Sequence, residues 1–176
     1  MADSRRLIGL DPGLRFLGWG IIDAAANKLT PIASGTITST AKKDLADRLV
    51  ELEAGLEAVI REFEPHAAAV ENTFVNRDGA ASLKLGQARA ICLLVPARHG
   101  LRVAEYAPNM IKKSVTGSGH ADKVQMQTMV SMLLPNCRPD SEHAADALAV
   151  AITHAHSGAL DDRLAVAGTS RKRQLT

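Results

Sequence analysis

The sequence predicts an α/β fold in which helices cover a mixed β-sheet. Two observations lead to this prediction: short apolar runs of strand length, and longer segments in which apolar residues recur with helical spacing. Three of the short runs come first, and the helical segments then follow with further short runs between them. This order fits a mixed sheet with helices packed on it.

The predicted strands are apolar runs separated by turn formers. The segment AAANK and Gly35 give turn or bulge signals among the early runs, and Pro65 precedes a later one. The five predicted strands cover residues 7–10, 17–23, 32–38, 67–70 and 103–106.

The first predicted helix has a clear apolar periodicity. Its residues Leu45, Leu49, Leu52, Leu56, Val59 and Phe63 recur at steps of four and three, which gives one apolar stripe to pack on the sheet. Further helices are predicted at 80–99, shortly after Pro108, at 122–134 and over HAADALAVAITHAH, with Pro135 and Pro139 breaking the chain before the last one.

Length and composition bound the domain organisation. The chain has 176 residues, of which 46% are hydrophobic and 3% aromatic, enough for one core built from Ala, Val, Leu and Ile. We therefore expect a single domain over residues 1–158. Residues 159–176 are polar and basic and end in SRKRQLT, and we predict a mobile tail there that adds non-specific attraction for phosphate.

Cysteine usage and hydropathy argue against a secreted or membrane protein. Cys92 and Cys137 have no metal-type spacing and are expected to be free thiols in a reducing cytoplasm. No apolar run approaches the length of a membrane span, and the start MADSRRLIGL lacks the apolar core of a signal peptide. We therefore predict a cytoplasmic location.

Four potential metal ligands occur where predicted elements begin or end. Asp11 in LIGLDPG and Glu71 in AAAVEN each follow a buried-strand run, whereas His143 and Asp146 stand three residues apart on the last helix and so face the same side. Carboxylates brought together repel one another unless a cation lies between them, and oxygen ligands suit magnesium or manganese. The set predicts a divalent-metal enzyme that acts on phosphodiesters.

Each of these residues also has an ordinary structural interpretation. Asp11 before Pro-Gly can form a turn through its side chain. Glu71 can be a solvated strand end, and His143 with Asp146 can cap or decorate a helix. Taken singly, these interpretations are at least as good as the functional one. Taken together and in this order, the four residues favour a site.

The order of the motifs identifies a family resemblance. LIGLDPG followed by GWGIID, then AAAVEN, SLKLGQARA and HAADALAVAITHAH, resembles the RuvC family of Holliday junction resolvases, members of the RNase H-like superfamily. The resemblance runs from about Leu7 to about His156, and SLKLGQARA and AADALAVAITH are its most distinctive strings. It implies an RNase H-like fold with a five-stranded mixed sheet flanked by helices.

The resemblance also implies an activity and a set of residue roles. The enzyme would make paired, symmetric nicks in four-way DNA junctions during recombination and repair, with Asp11, Glu71, His143 and Asp146 as catalytic metal ligands. Two Mg²⁺ ions per site, with Mn²⁺ as the alternative, would activate water and stabilise the departing 3′ oxygen, and Asp11 would bridge them. Independently of the resemblance, Lys123, which follows TGSGHAD at the start of a predicted helix, is a candidate for contacting the scissile phosphate or stabilising its developing charge. Some relatives carry Asp where this chain has His143. The implied partner is a branch-migration complex of the RuvA and RuvB type.

Further residues are candidates for DNA contacts. Phe74 follows Glu71 by three residues and has no evident core to enter, so it either wedges between bases at the junction or packs against the next helix. The net charge of +2 does not by itself indicate a nucleic-acid partner. The cations that fall in segments with few acids are nevertheless candidates for phosphate contacts, although a solvated helix face explains each one singly: Lys84, Arg89, Lys112, Lys113 and Lys123.

The two-fold symmetry of a four-way junction predicts a homodimer with one site per subunit. The predicted helix 80–99 is apolar over more of its surface than one sheet contact needs, and its predicted dimer seam comprises Leu83, Leu85, Ala88, Ile91, Leu94 and Val95. Two alternative functions stay open. One is another RNase H-like nuclease acting on hybrids or flaps, which SLKLGQARA argues against. The other is a non-catalytic junction-binding protein, since His143 replaces an acid.

Overall fold

A computed structural model of the chain describes residues 4–72 and 79–173, with side chains as far as residue 158. The strands are β1 (Arg5–Asp11), β2 (Phe16–Ala25), β3 (Lys28–Thr38), β4 (Ala67–Glu71) and β5 (Arg102–Tyr106). The helices are α1 (Leu45–Phe63), α2 (Gly79–Arg98), α3 (Pro108–Thr116), α4 (Lys123–Leu133) and α5 (Glu142–Arg173). Every predicted strand and helix is present in the described residues.

The largest difference at a strand end concerns β3, which begins at Lys28 rather than at residue 32. A two-residue turn at Ala26 and Asn27 lets β2 and β3 pair as far as Ala25 and Lys28. Ala26 has a positive φ of 52°, a conformation that suits such a turn. The hairpin geometry therefore extends the strand into residues whose side chains show little apolar pattern.

The strands form one five-stranded sheet in the order β3-β2-β1-β4-β5. β1 pairs antiparallel with β2, and β2 pairs antiparallel with β3. β4 is parallel to both of its neighbours, β1 and β5. The sheet is therefore mixed, as predicted, and β1 is its central strand.

Helices cover both faces of the sheet. Successive residues of a strand point to opposite faces, so each strand contributes side chains to two cores. Ile8 and Leu10 belong to the core on the side of α1 and α2, whereas Leu7 belongs to the core on the side of α3, α4 and α5. Helix residues that complete the two cores are Leu52, Leu56 and Cys92 on the first side and Ile111, Val130, Leu148 and Ile152 on the second.

Helix α5 lies directly against β1 and β2 because both strands carry glycines beneath it. A Cβ atom on Gly9 would lie 2.1 Å from the carbonyl oxygen of Ala147, and one on Gly18 would lie 2.0 Å from the carbonyl oxygen of His143. Any other residue at these positions would push the helix away from the sheet. The buried alanines of α5, among them Ala144 and Ala147, keep the helix side of this contact small as well.

Helix α5 is longer than the sequence analysis predicted. Its backbone stays helical as far as Arg173, well beyond the predicted end of the helix near His156. Residues 159–173 contain no proline and are rich in Ala, Leu, Arg and Lys, which favour a helix once one has started. The mobility predicted for residues 159–176 stays a prediction. Among the helices described, none is both long and apolar enough to span a membrane.

Candidate active site

The two strand-end carboxylates leave the sheet side by side. Asp11 is the last residue of β1 and Glu71 is the last residue of β4. The two strands are parallel and pair Leu10 with Val70, so the next residue on each strand is at the same edge of the sheet. The expectation that these apolar runs end in neighbouring acids at the margin of the core is thereby met.

Helix α5 brings His143 and Asp146 to the same place. Gly18, which pairs with Asp11 across the β1–β2 ladder, contacts the backbone of His143. The His143 Nδ1 atom lies 2.9 Å from Asp11 Oδ2, and the imidazole also stacks on Phe16 with ring centroids 5.5 Å apart. Asp146 lies on the helix turn that follows.

Burial and mutual repulsion shift the titration of these carboxyl groups. Burial raises the pKa of Asp11 to about 6, with the hydrogen bond from His143 opposing the shift and the charge of Asp146 adding to it. The pKa of Glu71 rises to about 7, first through burial and then through the charges of Asp11 and Asp146. Burial also raises the pKa of Asp146, against the opposing charges of Lys123 and His143. A cation between the three acids would relieve this repulsion.

A cleft of about 220 Å³ opens beside the acids, between them and the helices α3 and α4. Glu71 on β4 and Asp146 on α5 line it, together with Lys112 on α3 and with Asp122 and Lys123 at the start of α4. Lys112 lowers the pKa of Glu71, and Lys123 lowers the pKa of Asp146. The cleft therefore combines an acidic wall with two lysines, a charge pattern that suits a phosphodiester held by cations.

Comparison with known protein families identifies the family to which the chain belongs. Residues 7–154 match the family described as Crossover junction endodeoxyribonuclease RuvC. The chain belongs to the RuvC family. A relative of that name from Parvibaculum lavamentivorans is 62% identical over 167 residues, which cover 95% of each chain. Another, from Brucella anthropi, is 54% identical over 175 residues and covers 99% of each chain.

Solved structures agree with the RuvC assignment. RuvC of T. thermophilus in complex with a Holliday junction substrate is 30% identical, with a TM-score of 0.83 over 89% of this chain and 96% of that chain. The yeast mitochondrial Holliday junction resolvase Ydc2, at 12% identity and a TM-score of 0.63 over 89% of this chain and 80% of that one, shares the fold alone. The predicted family, the RNase H-like fold and the endodeoxyribonuclease class are confirmed.

The predicted ligands meet only in part around this cleft. Glu71 and Asp146 line it, whereas Asp11 and His143 do not line it and contact each other, with Asp11 Oδ2 2.9 Å from His143 Nδ1. Among the residues that the structure describes, no group of three His, Cys, Asp or Glu side chains is placed to hold a metal ion. The four predicted ligands would have to move closer together to bind one cation.

The predicted DNA contacts are distributed unevenly around this site. Lys112 and Lys123 line the cleft, whereas Lys84 and Lys113 are exposed and do not line it. Arg89 forms an ion pair with Glu105, and its Nε atom is buried without a hydrogen-bond partner. This pairing leaves Arg89 poorly placed for a phosphate contact. Phe74 lies outside the described residues, and its predicted role stays a prediction.

Three further residues that support the site were not identified from the sequence. Ser141 caps the start of α5 by accepting a hydrogen bond from the Ala144 N–H at 3.0 Å, and its hydroxyl lies 2.6 Å from that of Thr36 on β3. Glu142 forms an ion pair with Lys123. A serine just before a helix is a recognisable capping signal, but the contact of Ser141 with Thr36 joins residues 105 apart and has no local signature.

Proposed function

We propose that this RuvC chain resolves Holliday junctions, cutting two opposed strands of a four-way DNA junction by hydrolysis of phosphodiesters. The observation that carries the proposal is the proximity of Asp11, Glu71 and Asp146, whose charges act on one another, together with a cleft that Glu71, Asp146, Lys112 and Lys123 line. A relative with a closely similar fold has been solved with a Holliday junction substrate. Recombination and DNA repair are the processes that this activity would serve.

We infer that the site takes divalent cations, Mg²⁺ or alternatively Mn²⁺, and that it takes two. The donor set fits them, because three partly buried carboxylates whose pKa values are raised by burial and by one another offer hard oxygen ligands and unrelieved negative charge. The residues that would hold the cations are Asp11, Glu71, His143 and Asp146. When bound, such cations supply activation of water and charge neutralisation at the departing 3′ oxygen.

His143 can serve as a ligand without losing its contact with Asp11. A neutral imidazole that donates from Nδ1 to a carboxylate keeps a lone pair on Nε2 for a metal ion, and this donation fixes the ring orientation. The stacking of the imidazole on Phe16 restricts the ring further. An ionised aspartate at position 143 could not donate this hydrogen bond to Asp11.

Lys112 and Lys123 would bind the phosphate backbone of the substrate. Both line the cleft that Glu71 and Asp146 also line. Lys123 is the first residue of α4, and a reciprocal capping box between Asp122 and Gln125 fixes that first turn. A lysine held there can stabilise charge that develops on the scissile phosphate.

We further propose a homodimer in which α2 contributes the seam. Leu83 and Leu94 are 65% and 52% exposed, respectively, although they are large and apolar. Ala88 and Val95, which the sequence placed in the same seam, are buried in the core of the subunit. The proposed seam therefore comprises the outer side of α2 rather than the whole predicted set.

The remaining proposals concern the cellular setting. Both cysteines are free, and burial raises the pKa of the Cys92 thiol, which keeps it unreactive. These thiols suit a reducing compartment, and we propose the cytoplasm. A branch-migration complex of the RuvA and RuvB type is the proposed partner on the junction.

A nicking assay on matched substrates tests the proposed function. We expect paired cuts in a four-way junction in Mg²⁺, no cuts after chelation, and little cutting of a linear duplex or an RNA–DNA hybrid of the same sequence. Preferential cutting of the hybrid would indicate another nuclease of this fold. Tight junction binding without cleavage in either Mg²⁺ or Mn²⁺ would indicate a binding protein.

A further inference from the structure

One of the two lysines that line the cleft is already engaged by an acid outside the catalytic set. Lys123 at the start of α4 forms an ion pair with Glu142, the first residue of α5. The pair joins two helices at the mouth of the cleft that Lys123 lines. Glu142 itself does not line that cleft.

Lys123 is the residue of this pair that lines the cleft, whereas Glu142 acts on the site from outside it, through a charge that raises the pKa of Asp146. The charge of Lys123 acts on the carboxyl groups of both Asp11 and Asp146. Lys112, by contrast, acts on Glu71, and among the residues that the structure describes its ammonium group forms no ion pair. Of the two cleft lysines, Lys123 is the one that an ion pair with a non-catalytic acid holds.

We propose that Glu142 is a positioning residue that holds Lys123 at the mouth of the cleft until a substrate phosphate displaces it. The inference rests on the proposed function, in which Lys123 contacts the scissile phosphate. Glu142 would then compete with the substrate for one ammonium group, and its carboxylate would lower the affinity for DNA without taking part in the reaction.

Solvent exposure makes this displacement feasible. The side chains of Lys123 and Glu142 are 52% and 66% exposed, respectively, so water and salt screen their attraction. A phosphodiester offers Lys123 an anion of equal charge, and the junction adds further contacts that Glu142 lacks. The ion pair is therefore strong enough to orient Lys123 in the free enzyme and weak enough to yield to DNA.

The variant Glu142→Gln tests the proposal because it keeps the shape of the side chain and removes its charge. We expect the Kd for a four-way junction in EDTA to fall about two- to fivefold, the range that corresponds to a surface ion pair. The KM for cleavage in Mg²⁺ should fall by a similar factor, with kcat unchanged within about twofold. The gain should shrink as salt is raised, because exposed charges are screened.

Two comparisons isolate the role of Lys123. Glu57→Gln removes the same charge from a partly exposed ion pair with Arg61 on α1, and it controls for the change in net charge. A Lys123→Met background removes the partner, and there Glu142→Gln should bring no gain in affinity. Melting curves of all variants show whether each one is folded.

Each other outcome would overturn the proposal. An unchanged Kd, or a change no larger than that of Glu57→Gln, would show that the ion pair does not affect the affinity for the junction. A gain that persists with Lys123→Met would mean that Glu142 merely repels phosphate. A fall in kcat would mean that Glu142 orients Lys123 during the reaction itself. Because the Kd is measured without metal, these results stay distinct from a failure of the wild-type chain to cut junctions.

Discussion

At the scale of single residues, the site is defined by carboxyl groups whose charged form the fold disfavours. Asp11, Glu71 and Asp146 are each partly buried, and burial is the first cause of the raised pKa in all three. The single hydrogen bond between Asp11 and His143 offsets only part of this cost. Acids placed in this way destabilise the ligand-free protein and favour the binding of cations.

Glu71→Gln should therefore stabilise the metal-free protein. The folded-state pKa of Glu71 is about 7, against an ordinary value of 4.5, so folded protein keeps a proton that the unfolded chain loses between those values. Stability should fall as pH rises through this window, and the glutamine variant should lack that part of the fall. At pH 8 we expect a gain in the free energy of unfolding of at most about 3 kcal/mol.

Urea unfolding in EDTA at a series of pH values measures this effect. Glu57→Gln, which changes a partly exposed glutamate that is paired with Arg61, is the control and should follow the wild-type profile. Added Mg²⁺ should stabilise the wild type and not Glu71→Gln, since a ligand stabilises only the state that binds it. Identical pH profiles for the wild type and Glu71→Gln would show that the surroundings of Glu71 do not disfavour its charged form.

At the scale of elements, the position of α5 depends on glycines in the strands below it. Gly18→Ala would place a Cβ atom 2.0 Å from the carbonyl oxygen of His143, which is helix backbone and cannot turn aside. The helix would have to shift, and overpacking of this kind costs roughly 1 to 3 kcal/mol. Because His143 and Asp146 move with the helix, we expect cleavage to fall at least tenfold.

Gly158→Ala is the matched control for this prediction. Gly158 lies on the same helix, α5, and a Cβ atom there would meet nothing within 4 Å, so alanine should be neutral or stabilise by up to about 1 kcal/mol. Thermal unfolding together with cleavage rates checks both variants. Wild-type stability and cleavage in Gly18→Ala would mean that the helix is not held by this contact.

The sequence allowed the elements to be predicted better than their contacts. The apolar run before Asp11 and the run between Pro65 and Glu71 placed β1 and β4 within two residues of their observed bounds. These predictions succeeded because strand formation follows local apolar patterning. The contact of Gly18 with His143 could not be predicted, because it depends on how a distant helix packs.

The same distinction applies to the site. Asp11, Glu71, His143 and Asp146 were predicted from their positions at element ends and from the family resemblance. The fold pairs Asp11 with His143 and places Glu71 and Asp146 in the lining of one cleft. The partner of Lys123 was not predicted, since an exposed ion pair between two helices leaves no pattern in the sequence. Arg89 was assigned to DNA on charge alone, whereas its pairing with Glu105 is a tertiary contact.

At the scale of the whole molecule, the proposed dimer places two clefts against two equivalent strands of a junction. We expect Leu94→Lys to weaken the dimer, because it puts a charge into the apolar outer side of α2. Light scattering at micromolar concentration measures the mass, and paired-cut assays measure the coupling of the two cuts. The variant should be a monomer that makes single, uncoupled nicks.

Met132→Lys is the control for the dimer prediction. Met132 is apolar and 68% exposed, like Leu94, but it lies on α4 and outside the proposed seam. This variant should remain a dimer with coupled cuts. A dimeric Leu94→Lys protein that still makes paired cuts would place the seam elsewhere.

The central claim is that the converged carboxylates form the catalytic centre for junction cleavage. The most direct test is the rate at which Glu71→Gln cuts a four-way junction in Mg²⁺ with protein in saturating excess. Junction binding by the variant, measured in the same samples, should stay close to that of the wild type. We predict no product above the enzyme-free background in the time that the wild type needs to cut all of the substrate. Cleavage by Glu71→Gln at the wild-type rate would contradict the claim.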